Sequence, residues 1–465
     1  MANITHWRRQ LNNSLLVHPS VREVFSPNRI EEHCRHSGHQ WRETIWSPAM
    51  TLLAFLLQVL SAEKTLRAAV ASLLTQLAAH GEKDLPSPDP SAYCQARRRL
   101  PGAAVNTLGR AVADRVQAVA GPEYRWHGHR VKVVDGSTAS MPDTAALQKV
   151  FPQPPSQKPG CGFPLACLLV LFCWATGTVT RVALGDLYTG ELALFRKNWD
   201  EWLAPGDMVL GDRLYGSYVD IVRLGQRGVF CLFRLHQRRK ADFRTGQRLG
   251  RYDRLVTWSR PERWFPSFGI SRAQFERLPE TLTIRQIRIT EVPKGFRSRT
   301  ILVVTTLLDP NRYPADEIRA LFRDRWTAEL NLRSLKTHLG MEILRGHSPD
   351  MVRKEIAMHL LAYNLIRLLM WQAAREHGRD LHRLSFTGTL HRLRRILPAA
   401  MLLSSGRTAR TAGLRASLLE WIAEDELPDR PDRYEPRRKK RRPKEYSLLN
   451  KPRSWYHQHG DADAR

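Results

Sequence analysis

The sequence predicts an α/β fold: a mixed-sheet core carrying a strand-rich insertion, with a helical N-terminal domain and a helical C-terminal region around it. Three observations carry this. Between residues 131 and 235, short apolar runs of strand length alternate with stretches of helical period. Between 236 and 308 that alternation gives way to Trp-, Arg- and Pro-rich sequence and to segments such as TLTIRQIRITEV and RTILVVTTLL, where polar and apolar residues alternate. Before 121 and after 348, long stretches repeat their apolar residues at helical spacing. The boundaries that follow are 1–121, 122–235, 236–308, 309–400 and 401–465.

Length and composition bound the rest. A chain of 465 residues with 42% hydrophobic content is ample for several packed units. No apolar run approaches the 18 residues or so of a membrane span, and MANITHWRRQL lacks the apolar core of a signal peptide, so a cytoplasmic protein outside the membrane is expected. Six scattered cysteines then read as reduced thiols. The net charge of +28, from 73 Lys and Arg against 45 Asp and Glu, favours a polyanionic partner such as nucleic acid.

In chain order, HWRRQLNNSLL (6–16), 51–80 and 91–120 read as helices separated by breaks such as DLPSPDPS. Arg97, Arg98 and Arg99 give this region a basic edge. The cluster His33, Cys34, His36 and His39 matches no usual zinc-finger spacing. Next, Val131 to Val134 form a short strand ending at Asp135, with Gly136, Ser137 and Thr138 turning the chain. LACLLVLFCWAT and TVTRVALGDL read as two strands joined at Thr176 and Gly177. Thr189 caps a helix running to Trp202, DMVLG is a fourth strand ending at Asp212, and a further helix leads to a fifth strand, GVFCLFRL. Strand, strand, strand, helix, strand, helix, strand is the order of a ribonuclease H-like core, in which the first and fourth strands are neighbours. Asp135 and Asp212 then meet at adjacent strand ends, the edge where α/β sheets usually bind ligands.

The third carboxylate comes from residues 321–340, LFRDRWTAELNLRSLKTHLG. Pro314 at the first helical position, Asp316 and Glu317 in the first turn and Gly340 just past the end predict one helix. At about 100° per residue, Phe322, Arg325, Glu329 and Lys336 fall within an arc of roughly 60°, beside an apolar stripe of Leu321, Ala328, Leu332, Leu335 and Leu339. The helix buries its leucines and carries a carboxylate between basic groups at the edge of that face. A second long helix starts at Ser348-Pro349-Asp350, and the tail contains RRKKRRPK (437–444), a basic arm suited to DNA phosphates.

Asp135, Asp212 and Glu329 on separate elements suit two Mg²⁺ ions about 3.5–4 Å apart, because Mg²⁺ is a hard ion that prefers oxygen ligands. Mn²⁺ is able to substitute. Such a pair of ions supports in-line displacement at a phosphodiester, with water or a 3′ hydroxyl as nucleophile.

The spacing Phe322-x2-Arg325-x3-Glu329-x6-Lys336 resembles the Tyr-x2-Arg-x3-Glu-x6-Lys signature of the DDE transposases in the fourth insertion-sequence family, with Phe322 in place of Tyr. VDGSTASMPDT, QKPGCGFP, GDRLYGSY and LLAYNLIRLLM resemble further segments of that family, and the likeness covers roughly 93–375 and the basic tail. It implies that Asp135, Asp212 and Glu329 are the catalytic, metal-binding triad. It also implies that Arg325 and Lys336 contact DNA phosphates, and that Phe322 keeps an aromatic ring at the DNA without the hydroxyl; Arg213, next to Asp212, is a further candidate phosphate contact by its position. The implied activity is cleavage at the terminal inverted repeats of an insertion sequence and strand transfer into target DNA, by a homodimer on paired ends of double-stranded DNA. In a bacterium such an enzyme works at the nucleoid. Some relatives stack a flipped base on a Trp of the insertion, for which Trp258 and Trp264 are candidates. The alternative is a catalytically weak or repurposed transposase-derived DNA-binding protein.

Overall fold

The structure, a computed structural model, describes residues 24, 26–42, 44–79, 85–291, 299–403, 408–428 and 449–459. The expected helix at 6–16 and the basic run at 437–444 lie outside these residues. The chain divides into two compact units, one of residues 1–119, 139–153 and 333–429, the other of residues 120–138, 154–332 and 430–465.

The first helices are α1 (Pro27–His36), α2 (Pro48–Leu60), α3 (Leu66–Ala79), α4 (Ser91–Arg99) and α5 (Gly102–Ala120). Then come β1 (Arg130–Ser140), α6 (Ala145–Val150), β2 (Leu165–Cys173), β3 (Val179–Gly185), α7 (Glu191–Trp202), β4 (Asp207–Gly211), α8 (Tyr218–Gln226) and β5 (Phe230–Arg234). The insertion supplies β6 (Gln247–Gly250), β7 (Asp253–Ser259), α9 (Arg272–Glu276), β8 (Thr281–Glu291) and β9 (Arg299–Thr305). After these follow α10 (Ala315–Asp324), α11 (Trp326–Arg333), α12 (Pro349–Glu376), α13 (Phe386–Leu403), α14 (Thr408–Glu424) and α15 (Arg453–His459).

In the helical unit, α2 is apolar on nearly every side and α12 is buried along most of its length. A helix apolar all round belongs inside a bundle, and α12 packs against α2, α13 and α14. α12 starts as the sequence predicts, with the Ser348 hydroxyl accepting a backbone N–H and Pro in the first turn, whereas the stretch expected as one helix over 51–80 is two, α2 starting at Pro48 under a Ser47 cap and α3 following from Leu66. Gly378, with φ +61°, follows the end of α12.

The sheet unit is built on the order β3-β2-β1-β4-β5-β9-β8-β7-β6. β2 and β3 pair antiparallel through the Gly177 turn, and β4 runs parallel to both β1 and β5. The first and fourth strands are therefore neighbours, as expected. β9 adds antiparallel to β5, so the insertion extends the same sheet to nine strands. Its hydrophobic interior is continuous with that of the core: Val134, Leu169, Phe195, Val209 and Phe233 belong to one buried cluster with Trp258, Phe275, Ile284 and Val304. α7 packs on β2 and β3, and α8 on β5.

Three further local expectations are corrected. β1 does not stop at Asp135. Its pairing with β4 covers Arg130 to Val133, but the chain stays extended to Ser140, whose N–H and C=O are taken up by Glu342 and Leu344. The Gly-Ser-Thr cluster is read as a turn from its composition, and a backbone partner distant in sequence overrides that preference. The residues from 315 to 339 are likewise not one helix. Pro314 is the N-cap rather than the first helical residue, the helix tightens at Arg325 through i→i−3 bonds, and Ser334–His338 widens into a π turn closed by Leu339 N–H to Ser334 C=O. Gly340, with φ +70°, then ends it. Finally, Thr189 does not cap α7: its N–H and hydroxyl go to Asp186, and Gly190 is the N-cap.

Candidate active site

Asp135 lies on β1 two residues past its last pairing with β4, and Asp212 directly follows β4. Parallel neighbours bring these positions to the same edge of the sheet. Asp135 accepts a hydrogen bond from the Gly136 N–H (2.9 Å). Asp212 is extended, and its Oδ1 is buried with no hydrogen-bond partner among the described residues. A carboxylate oxygen withheld from water without a donor is destabilised unless a cation is supplied.

Glu329 sits in the first turn of α11, where Arg325 donates to its carboxylate at 3.3 Å. The Arg325 guanidinium also lies 5.8 Å from the centre of the Phe322 ring. Phe322, Arg325 and Glu329 thus stay together despite the break at Arg325. Phe322 is only 5% exposed, so its ring is held in the protein core. Arg213 follows Asp212 on a 3-10 turn and donates to Gln237 (2.7 Å). Lys336 is half-buried on the π turn, in the helical unit.

The electrostatics link these groups. Burial is the main cause that pushes the Asp135 carboxyl up to about 6; the Gly136 N–H and Arg325 oppose it, and the charges of Glu191 and Glu329 add to it. Glu191 has no signal in the sequence beyond an acidic residue at a helix start. It is the first residue of α7 and lies over Gly136, so closely that a Cβ added there would be 1.9 Å from the Glu191 Cδ. Burial and then the charge of Asp212 raise its carboxyl. Tyr215, 2% exposed, has a hydroxyl without a hydrogen-bond partner among the described residues; burial first, and then the charges of Glu191, Asp135 and Asp212, disfavour its ionised form. No sequence motif marks Glu191, because its approach to Gly136 depends on how the chain leaves β3. Trp326 does carry a signal: it falls opposite the leucine stripe of a helical wheel, and its indole is 46% exposed.

As they stand, no three His, Cys, Asp or Glu side chains among the described residues converge closely enough to hold a metal ion. The oxygen-only donor set and the orphaned Asp212 oxygen nevertheless fit a hard divalent cation. The two insertion tryptophans are engaged in packing. Trp258 is buried with the Arg239 guanidinium 4.0 Å from its ring centre, and Trp264 donates to the Ile270 carbonyl (2.9 Å). Asp186 ties the turn before α7, and fully buried Asp207 pairs with Arg130 and Lys132.

The family model described as Transposase DDE domain matches residues 126–365, just over half of the chain and all three carboxylates. The chain belongs to the DDE transposase family. As a DDE transposase it is an enzyme acting on DNA phosphodiester bonds. It is 26% identical over 366 residues to transposase InsG of insertion sequence element IS4 from Escherichia coli K12, covering 78% of this chain and 79% of that one. This agrees with the insertion-sequence type that its motifs resemble. Among solved structures, a piggyBac transposase synaptic complex with hairpin DNA aligns over 88% of this chain and 85% of that one, at 8% identity and a TM-score of 0.41. No described helix of the transposase is long and apolar enough to cross a membrane.

Proposed function

We propose that this transposase cuts DNA at the terminal inverted repeats of an insertion sequence and joins the freed ends to target DNA, using Asp135, Asp212 and Glu329 as the metal-binding residues of a ribonuclease H-like core. The observation that carries the reading is that Asp135, just past the last β1–β4 pairing, and the orphaned Asp212 oxygen, just past β4, lie on neighbouring strands at one edge, with Glu329 acting on Asp135 from α11. Two Mg²⁺ ions bound there would activate the attacking hydroxyl and stabilise the leaving oxygen of an in-line displacement.

The chain's own residues do the rest. Arg325 faces both Asp135 and Glu329, so a phosphate arriving at the site competes with Glu329 for the guanidinium. When Arg325 turns to the phosphate, Glu329 is released toward the other carboxylates. Arg213, beside Asp212, holds a phosphate of the DNA, and so does Lys336 on the π turn of the helical unit. Phe322 supports Arg325 through its ring and offers no hydroxyl to the DNA. The helical N-terminal region and the basic run at 437–444 add phosphate contacts, and a homodimer holds the paired ends. The ion pair that occupies Glu329, together with Phe322, is what a catalytically weak, DNA-binding descendant would also display.

The test uses the purified full chain with Mg²⁺ and DNA carrying the sequences that flank its gene. Glu329→Gln is expected to abolish strand cleavage while end binding stays within about threefold of wild type, since the substituted group meets an ion rather than the bases. Equal loss of binding would remove Glu329 from the chemistry. Specific binding without nicks by the wild-type protein at any Mg²⁺ concentration would establish the weak-binder reading instead.

A further inference from the structure

The π turn that carries Lys336 is an uncommon geometry, and such a turn persists where something outside the helix holds it. Here the hold comes from the loop between α2 and α3, in the same helical unit. The Lys64 ammonium donates to the carbonyl of Leu339, the residue that closes the turn, and to that of Val59 in the last turn of α2 at 3.4 Å. One cation thus sits between the carbonyl ends of two helices, where the dipoles of both favour a positive charge.

Three features are built around this contact. Lys64 has φ +55°, in the left-handed region that a side chain makes costly. It is held there on both sides: its N–H donates to Ser61 Oγ and its carbonyl accepts from Gln58 Nε2, each at 2.9 Å, and Gln58 is fixed in turn by the Tyr93 hydroxyl (2.9 Å) and Arg97 (3.0 Å). Gly340, directly after Leu339, has φ +70°, and a Cβ there would lie 2.8 Å from Lys64 Nζ, so glycine serves both the backbone and the ammonium. Beyond it, Arg345 donates to the Glu63 carbonyl (3.3 Å), and the Glu355 carboxylate of α12 accepts the backbone N–H groups of Arg345 (2.9 Å) and Gly346 (2.8 Å). Loop and turn are therefore joined on both sides of Gly340.

We infer that Lys64 is a positioning residue of the transposase: by clamping the Leu339 carbonyl it keeps the π turn, and with it the direction in which Lys336 leaves the helix toward DNA. This rests on the proposed role of Lys336 at a phosphate and adds the group that sets its direction. A π turn holds one residue more than an α turn, so relaxation to ordinary helical bonding swings side chains along it round the helix axis by up to about 100°. Loss of the ammonium takes a charged donor from the carbonyl of buried Leu339 and favours that relaxation.

The experiment measures binding of DNA carrying the gene's flanking sequences to the purified full chain over a series of salt concentrations. Lys336→Ala is expected to weaken binding about tenfold and to flatten the log–log salt slope by roughly 0.9, the loss of one phosphate contact. Lys64→Met keeps the aliphatic stem without the ammonium and is expected to do the same, with the double variant no weaker than either single one. A substitution that only loosens the fold leaves the slope alone, and its loss multiplies with that of Lys336→Ala. Gly340→Ala keeps the Lys64 charge but displaces its ammonium, and is expected to show the same loss and the same coupling. Thermal melting shows which variants are folded at the assay temperature. Wild-type binding by folded Lys64→Met or Gly340→Ala, multiplying losses in the double variant, or unfolding of both variants would overturn the inference and leave the Lys336 phosphate contact standing. Wild-type binding by Lys336→Ala would overturn both.

Discussion

At the scale of single residues, Asp135 shows what the site costs the fold. Burial penalises its charge and pushes its carboxyl from the ordinary 3.8 up to about 6. With the folded value raised, the native state holds the proton more tightly than the unfolded chain. The contribution is stabilising below about pH 4 and is lost as pH rises through 6. Asp135→Asn removes the charge, so it is expected to raise the melting temperature at pH 8 and to make little difference at pH 4, measured without divalent ions. A variant less stable than wild type at pH 8 would mean that the hydrogen bond to Gly136 outweighs the buried charge. Asp135 and Asp212 stand out in the sequence because each follows a short apolar run of strand length. Glu191 does not, since what distinguishes it is a close approach to a glycine 55 positions earlier in the sequence.

At the scale of elements, the strands were easier to read than the helix that bears Glu329. Strand order follows from short apolar runs separated by turns, and β1 through β5 appear in the expected sequence. The helix carries sound signals at its ends in Asp316, Glu317 and Gly340, but its interior break and π turn depend on packing that no propensity records. The same holds for Arg285 in β8, an arginine in an alternating strand that looks destined for solvent. It is fully buried, paired with Asp253 of β7 through two hydrogen bonds, and donates to the Tyr313 carbonyl at 2.7 Å just before α10. It thereby ties the insertion to the entrance of α10. Arg285→Ala leaves Asp253 buried and unpaired and is expected to destabilise the protein by about 3–5 kcal/mol in urea melts. The double change Arg285→Met with Asp253→Leu should recover much of that loss. A single variant within about 1 kcal/mol of wild type would show that water reaches the pair.

At the scale of the whole molecule, the net charge of +28 sets how binding responds to salt. Each phosphate neutralised contributes a log–log slope of roughly −0.9, so end binding is expected to weaken steeply between low and physiological salt. Replacing the seven basic residues of 437–444 by Gln should flatten that slope without changing which ends are chosen, since phosphate contacts carry no sequence information. An unchanged slope would take the basic run out of the interface. The central claim, that the carboxylates of Asp135 and Asp212, at the edge where β1 and β4 part, hold metal for phosphodiester chemistry, is tested most directly by changing one ligand atom. Nicking of end-containing DNA should be absent for Asp212→Cys with Mg²⁺ and should return with Mn²⁺, a softer ion that accepts sulfur more readily. Nicking by Asp212→Cys at the wild-type rate with Mg²⁺, or by wild type with all divalent ions chelated, would contradict it.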